Sequence, residues 1–172
     1  DINVLGDIEF TIDGRPLDFA DTVTYRGMMF TGIPTLVWIF GYFRASWTLR
    51  ADLMADFVCR LLAHMEKKGV KEVQVALRPE DEEMKLLPWI DPENFNPGYL
   101  HRGIHLLPQQ GDREPWLHTQ DYWPEQDIMP NIDLDDGVVP VGMLADAVVV
   151  QQAVAVAEID TLGDEIHGFT VT

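Results

Sequence analysis

Two hydroxyl side chains, Ser46 and Thr48, stand at the start of a stretch that is typical of an amphipathic helix. A serine or threonine at that position caps a helix. The unpaired backbone N–H groups and the positive end of the helix dipole also favour an anion or an electron-rich ring edge. The chemical interpretation is a binding site at Ser46, Trp47 and Thr48. The structural interpretation is a capped helix on which Trp47 packs, and the residues alone favour it because every helix has such an end.

Other reactive side chains do not predict a catalytic or metal site. His101 and His105 have the four-residue spacing of metal ligands on a helix, but a glycine between them disfavours a rigid helix, so we expect structural histidines. Cys59 is the only cysteine, and we expect it to be a small core residue. The acidic run at 80–83 is expected to face solvent, since a paired-carboxylate site needs one carboxyl group in apolar surroundings. We therefore predict no catalytic residue and no metal ligand.

Charge and motifs argue against a nucleic-acid partner and against a phosphate cradle in this chain. All 12 Lys and Arg residues lie at or before Arg113, whereas acidic residues continue to the end, and the net charge is −17. No basic stripe is available for a phosphate backbone, so no nucleic-acid partner is expected. The sequence contains neither GxGxxG nor GxxxxGK[ST], the glycine motifs that hold nucleotide phosphates.

A buried strand and a long helix are the elements that must position Ser46 and Thr48. The apolar run at 36–40, bounded by proline and glycine, predicts a strand that is buried on both faces. Apolar residues recur every fourth position after Thr48 and predict a helix over about 48–68, with Gly69 as its C-terminal cap. We call the connection at 41–48 the elbow. In an α/β fold, ligands bind at the carboxyl ends of such strands.

Extended segments are predicted on both sides of this unit. Apolar residues alternate before and after Asp13-Gly14, which is the pattern of a β-hairpin. Residues 22–30 predict a further extended segment, and the alternation at about 71–77 predicts a returning strand. The expected class is therefore α/β, with a β-hairpin, extended strands and a buried strand–elbow–helix unit, all within residues 1–78.

Residues 79–133, which we call the arm, combine frequent prolines with large aromatic residues. Proline interrupts regular elements, whereas a free loop would not need the aromatic side chains. The composition predicts an extended arm held on another surface by aromatic anchors, with one short helical turn near 97–104. Residues 134–172 form an acidic, Ala/Val-rich tail for which no role is predicted.

Compartment and membrane topology are suggested by what the sequence lacks. No apolar run approaches the roughly 20 residues of a membrane helix, and the first residues do not form a basic signal-peptide region. With a single cysteine there is no disulfide framework. We expect a cytoplasmic chain without a transmembrane segment, and its start at Asp1 suggests processing or truncation.

Two stretches carry a resemblance to a known family. GMMFTGIPTLVWIFGYFRASWTLRADLMADFVCRLL and LLPWIDPENFNPGYLHRGIHLLPQQGDREPW resemble the C-terminal part of class B flavin monooxygenases, in particular the Baeyer–Villiger branch that includes ethionamide-activating enzymes. The resemblance covers about residues 1–133. It implies a C-terminal fragment of a two-dinucleotide-domain flavoprotein that uses FAD, NADPH and O2 and inserts one oxygen atom into ketones or soft heteroatoms.

The resemblance also assigns roles within the chain. Residues 1–78 would end the FAD-binding domain, and Ser46, Trp47 and Thr48 would lie near the flavin, where negative charge accumulates on reduction. The arm would wrap back over the enzyme. The implied partners are the N-terminal FAD and NADPH domains and a small-molecule substrate. Since the family's glycine motifs are absent, we expect the chain to be inactive by itself. The alternative is a non-catalytic binding or interaction module derived from a flavoprotein.

Overall fold

The computed structural model describes residues 8–93 and 97–135. The described part contains helices α1 (Trp47–Lys68), α2 (Gly98–Gly103) and α3 (Tyr122–Ile128). It contains six short strands, β1 (Thr11–Ile12), β2 (Arg15–Pro16), β3 (Thr24–Tyr25), β4 (Met29–Phe30), β5 (Leu86–Pro88) and β6 (Gln109–Gly111). The strands form three antiparallel pairs, β1 with β2, β3 with β4, and β5 with β6. Single 3₁₀ turns occupy Phe19–Asp21, Pro79–Asp81, Ile104–Leu106 and Met129–Asn131.

The long helix lies where the apolar spacing predicts it. Helix α1 begins after Ser46 and ends at Lys68, and the capping Gly69 takes the left-handed conformation with φ 69° and donates its N–H to the carbonyls of Met65 and Glu66. This is the αL ending that glycine allows without a steric penalty. The helix buries the face that carries Arg50, Met54, Phe57, Leu61 and Met65.

The prediction that Cys59 is a core residue is wrong. It is exposed on α1, and Leu62, an apolar residue of the same helix, is 55% exposed. Successive residues of an α-helix turn by about 100°. Cys59 therefore points roughly 200° away from Phe57, at the centre of the buried face. The buried face of α1 is therefore narrower than the set of its apolar residues.

The first hairpin has the form that its sequence predicts. Asp13 and Gly14 form the two-residue turn between β1 and β2, with φ of 52° and 72°, and Ile12 lies opposite Arg15. Two successive left-handed residues are the signature of a type I′ turn, whose twist matches that of the strands it joins.

The single extended segment predicted for residues 22–30 is wrong, because the chain reverses within it. Strands β3 and β4 form a second hairpin, and Arg26 and Gly27 at its tip have φ of 49° and 66°. A contact distant in sequence holds this tip in place, since the Arg26 N–H donates to the Pro115 carbonyl at 2.8 Å. Local sequence reasoning had no access to that contact.

The strand predicted for residues 36–40 is also wrong. The segment pairs with no strand in the described part of the chain, and Ile39 is 46% exposed. Its Trp38 N–H donates to the Met28 carbonyl at 2.7 Å. A strand buried on both faces needs neighbouring strands along its edges, and here the β3–β4 hairpin supplies this one backbone contact.

The strand predicted at about 71–77 is reduced to a single bridge. Val73 and Val75 are buried and alternate with more exposed neighbours, as the pattern indicated. Only Val75 is bridged, in parallel to Thr31. The carbonyl of Val73 also accepts the Thr35 N–H at 2.8 Å. The α/β class, which was inferred for a larger flavoprotein, stays a prediction.

Two hydrophobic clusters join the segments before and after residue 78. The first packs around the buried face of α1 and includes Trp116 of the arm. The second is mainly aromatic and includes Trp89 of the arm together with Phe30 and Trp38. Trp89 and Trp116 are fully buried, so they are aromatic anchors of the kind that the arm's composition indicates, whereas the third arm tryptophan, Trp123, is exposed. The division at residue 78 into a domain section and an arm stays a prediction.

No helix in the described ranges is both long and apolar enough to cross a membrane. The short helical turn expected near 97–104 corresponds to α2 and the 3₁₀ turn that follows it. The tail prediction falls almost entirely outside the described residues, as do predictions for residues 1–7 and 94–96.

Candidate functional site

The start of helix α1 carries the three residues that the resemblance places near a flavin. Ser46 is the N-cap residue, with φ −61° and ψ 130°, yet its side chain makes no capping hydrogen bond to any residue that the structure describes. Its Oγ instead lies 2.9 Å from Oγ1 of Thr48. The first turn contains no acidic residue. No carboxylate in that turn offsets the positive end of the helix dipole.

Trp47 is the first residue of α1 and is tied to the elbow by close packing. Its ring centroid lies 4.9 Å from that of Phe40. A Cβ atom added at Gly41 would lie only 2.3 Å from Cδ2 of Trp47, so the ring packs directly on the elbow backbone. Trp47 nevertheless remains 48% exposed, and Ser46 and Thr48 are exposed as well. The structure therefore brings the three predicted residues together on an open surface.

A cavity of about 1080 Å³ lies beside the elbow. Phe43, Arg44 and Ala45 line one part of it, and arm residues line the rest, including Trp89 and Trp123. Trp123 is 71% exposed. Ser46, Trp47 and Thr48 do not line this cavity, so the predicted site and the cavity are formed by different residues.

Arg50 forms a buried polar centre behind the elbow that sequence reasoning missed. Its Nε donates to Oε2 of Glu125 at 2.9 Å. Its Nη1 donates to the Phe40 carbonyl and its Nη2 to the Arg26 carbonyl, each at 2.8 Å. A signal existed in the sequence, because Arg50 stands four residues before Met54 and is therefore in phase with the buried face of α1.

Tyr42 of the elbow joins the same centre. Its hydroxyl donates to Oε2 of Glu125 at 2.8 Å, and Oε1 of Glu125 accepts the Thr119 hydroxyl at 3.4 Å. Burial, followed by the hydrogen bond and charge of Glu125, raises the pKa of Tyr42 above its ordinary value. The phenol therefore stays protonated and acts as a hydrogen-bond donor.

Gln120 contacts the elbow backbone with both ends of its side-chain amide. Its Oε1 accepts the Phe43 N–H at 3.0 Å, and its Nε2 donates to the Gly41 carbonyl at 3.2 Å. The backbone of Gln120 is left-handed, with φ 53°, a conformation that costs a non-glycine residue free energy. Gln120 therefore bridges the carbonyl of Gly41 and the N–H of Phe43, which lie two residues apart in the elbow.

His118 is a buried, neutral histidine in the wall of the cavity. Its ring lies 4.5 Å from that of Trp89, and its Nε2 lies 2.8 Å from the Trp89 carbonyl. Burial and the nearby positive charge of Arg50 lower the pKa of His118 to about 3. With a pKa in that range, the ring is neutral near pH 7.

The two histidines with metal-ligand spacing do not form a site. His101 lies in α2 and His105 in the following 3₁₀ turn, and both are exposed. Among the residues that the structure describes, no group of three or more His, Cys, Asp and Glu side chains is arranged to hold a metal ion.

Comparison with known proteins identifies relatives along most of the chain. It is 38% identical over 138 residues to the "Probable FAD-binding monooxygenase AlmA" of Acinetobacter baylyi. It is 39% identical over 135 residues to the "FAD-containing monooxygenase EthA" of Mycobacterium tuberculosis, and 39% identical over 122 residues to EthA of Mycolicibacterium smegmatis. These matches cover 80%, 78% and 71% of this chain, respectively. The chain is homologous to FAD-containing monooxygenases.

The homology covers only part of each relative. The matched regions span 27% of AlmA, 27% of the M. tuberculosis EthA and 24% of the M. smegmatis EthA. No protein-family model matches the chain, and no solved structure matches it. The chain thus corresponds to about a quarter of the length of these FAD-containing relatives.

The helix start fits one portion of an FAD molecule and not another. The exposed first turn, with no acidic residue and no capping bond from Ser46, suits an edge of the isoalloxazine that gains negative charge. The pyrophosphate of FAD would need a glycine-rich turn at a helix start, and this sequence has no GxGxxG motif.

Proposed function

We propose that this chain forms the flavin-facing C-terminal section of an FAD- and NADPH-dependent monooxygenase of the Baeyer–Villiger type. The reaction would insert one oxygen atom from O2 into ketones or soft heteroatoms. The observation that carries the proposal is the exposed helix start at 46–48, without a first-turn acid, in a chain 38–39% identical to FAD-binding monooxygenases.

The bound flavin would supply the redox chemistry and the activation of O2. The residues of this chain would supply electrostatics and shape. The first turn of α1 would stabilise negative charge on the ring system through its dipole and N–H groups. Trp47, packed on Gly41, would hold that turn against the elbow. The N-terminal FAD and NADPH domains would be the partners of this section, within an α/β flavoprotein of the cytoplasm.

A non-catalytic interaction module derived from a flavoprotein is the second candidate. The absence of a phosphate-binding glycine motif from this sequence favours it. The two candidates predict different properties for the natural protein that contains this sequence. A monooxygenase would be purified with flavin absorbance and would oxidise NADPH, whereas a module would show neither property. The chain by itself is expected to bind FAD weakly under both candidates.

The electrostatic role is tested at Thr48 in the FAD-loaded protein. Thr48 is the second residue of α1, where an acidic side chain suits the helix dipole. Thr48→Asp should therefore keep the helix while placing a carboxylate beside a group that must accept negative charge. At partly buried separations this repulsion is on the order of 1–3 kcal/mol, which corresponds to about 20–60 mV for a two-electron couple. We expect a lower flavin reduction potential and slower reduction by NADPH.

Thr48→Asn is the matched control, since asparagine has the shape of aspartate without its charge. Its flavin potential should stay close to that of the wild type. An unchanged potential in Thr48→Asp, with the protein folded and FAD bound, would remove the helix start from the flavin site.

A further inference from the structure

Two arm residues contact the elbow directly behind the proposed flavin-facing turn. Gln120 bridges Gly41 and Phe43, and Glu125 accepts hydrogen bonds from Tyr42 and Arg50. The elbow at 41–43 is thus hydrogen-bonded to residues that lie 77 to 83 positions later in the chain. These contacts are polar and directional.

The contact of Gln120 reaches the helix start through Gly41. The Gly41 carbonyl accepts the Gln120 amide, and the Gly41 Cα lies so close to the Trp47 ring that no Cβ fits between them. Trp47 is the first residue of α1. Any shift of the elbow backbone at Gly41 must therefore shift or release Trp47, and with it the first turn.

Glu125 contacts the same turn through Arg50. Its carboxylate holds the guanidinium of Arg50, the fourth residue of α1. Arg50 in turn donates to the Phe40 carbonyl directly before the elbow. Arg50 is fully buried, and Glu125 is 6% exposed, so water competes little for these hydrogen bonds. The first turn of α1 therefore contacts the arm directly through Arg50 and indirectly through Gly41.

We propose that Gln120 and Glu125 are positioning residues for the flavin: they act through Gly41 and Arg50 to hold the first turn of α1 in place. The proposal rests on the proposed function, since it assigns these residues a part in the same flavin-facing site. Neither residue needs to touch the flavin. Their effect on its potential would come from where they hold the helix dipole.

Gln120→Met tests the bridge in the FAD-loaded protein, because methionine has nearly the same length but lacks the amide. We expect a lower flavin reduction potential, since the turn that stabilises reduced flavin would be held less firmly. We also expect the Phe43 amide to exchange its hydrogen about tenfold faster, the size expected for the loss of one hydrogen bond. The exchange measurement does not depend on catalytic activity.

Gln109→Met is the matched control. Gln109 is also an arm glutamine, and its amide donates to the Ala20 carbonyl at 3.1 Å, away from the elbow. It should change neither the flavin potential nor the exchange at Phe43. Tyr42→Phe is a second test that keeps the Arg50–Glu125 pair and removes one elbow contact with Glu125; it should lower the potential as well.

The outcomes separate this inference from the function on which it rests. If Thr48→Asp lowers the potential while Gln120→Met and Tyr42→Phe leave it unchanged, the positioning role is wrong and the flavin site stands. If all three leave it unchanged in folded, FAD-loaded protein, both proposals are wrong. Gln120→Asn gives a further check: asparagine favours the left-handed backbone but is too short to bridge the elbow. Wild-type behaviour of this variant would contradict the bridge.

Discussion

The guanidinium Nε of Arg50 lies 2.9 Å from a carboxylate oxygen of Glu125, although 75 positions separate the two residues in the chain. Their side chains are 0% and 8% exposed. This ion pair joins the first turns of α1 to helix α3 of the arm. The two charges stabilise each other, because burying either one without its partner would cost a large free energy.

Removing one member of this pair should destabilise the chain far more than removing a surface ion pair. We expect Glu125→Gln to lower the free energy of unfolding by about 3–5 kcal/mol, since Arg50 would stay buried without its counter-charge. The double variant Arg50→Met with Glu125→Leu should recover much of this loss. Urea denaturation monitored by circular dichroism measures each value.

Lys68→Met provides the comparison at a surface pair. Lys68 lies 2.9 Å from Asp135, with side chains 46% and 57% exposed, and such pairs contribute about 0–1 kcal/mol. A loss in Glu125→Gln no larger than that in Lys68→Met would contradict the energetic importance of the buried pair.

Gly27 should be less tolerant of substitution than Gly14, although both have left-handed φ angles of 66° and 72°. Alanine at Gly14 meets no atom within 4 Å, so it should cost only the backbone term of about 1–2 kcal/mol. Alanine at Gly27 would also place its Cβ 2.9 Å from the His118 ring. That overlap should add about 1–3 kcal/mol. Thermal and urea unfolding of the two variants compare these costs, and equal values would contradict the close approach of His118.

His118 should contribute a recognisable pH dependence to stability. Its pKa is lowered from 6.5 to about 3 by burial and by Arg50. Below pH 6.5 the unfolded chain binds a proton that the folded chain does not bind. The stabilisation is therefore present above pH 6.5 and is lost as the pH falls towards 3.

The comparison of wild type with His118→Gln isolates this term. The stability advantage of the wild type should shrink by about 1.4 kcal/mol for each pH unit below 6.5. His101→Gln, at an exposed position, serves as the control for removal of a histidine. Denaturation curves from pH 7 to pH 4 supply the values, and a difference that is independent of pH would mean that His118 titrates alike in both states.

Local patterns predicted the elements whose hydrogen bonds are local. The type I′ turn at Asp13-Gly14 and the body of α1 depend on contacts between neighbours in sequence, so their residues suffice to specify them. The run at 36–40 was assigned as a strand because its composition is apolar. Its conformation depends on whether other strands flank it, and no local pattern contains that information.

The candidate site divides in the same way. Ser46, Trp47 and Thr48 were found because helix starts have a local signature. Arg50, Tyr42, Gln120 and Glu125 were missed, since each finds its partners across distant segments. Of these four, only Arg50 has a signal in the sequence, because it is a charged residue in phase with the buried face of α1.

The shared clusters have a consequence for synthesis on the ribosome. The core around α1 also contains Met84, Trp116, Met129 and Ile132, and Gln109 forms a parallel bridge to Val23. Contacts between segments so far apart close late and slow folding. A nascent chain that has just exposed α1 still lacks the later side chains of this cluster, from Val73 to Ile132. We expect α1 to keep an open apolar face, available to chaperones, until nearly all of the described residues have left the exit tunnel.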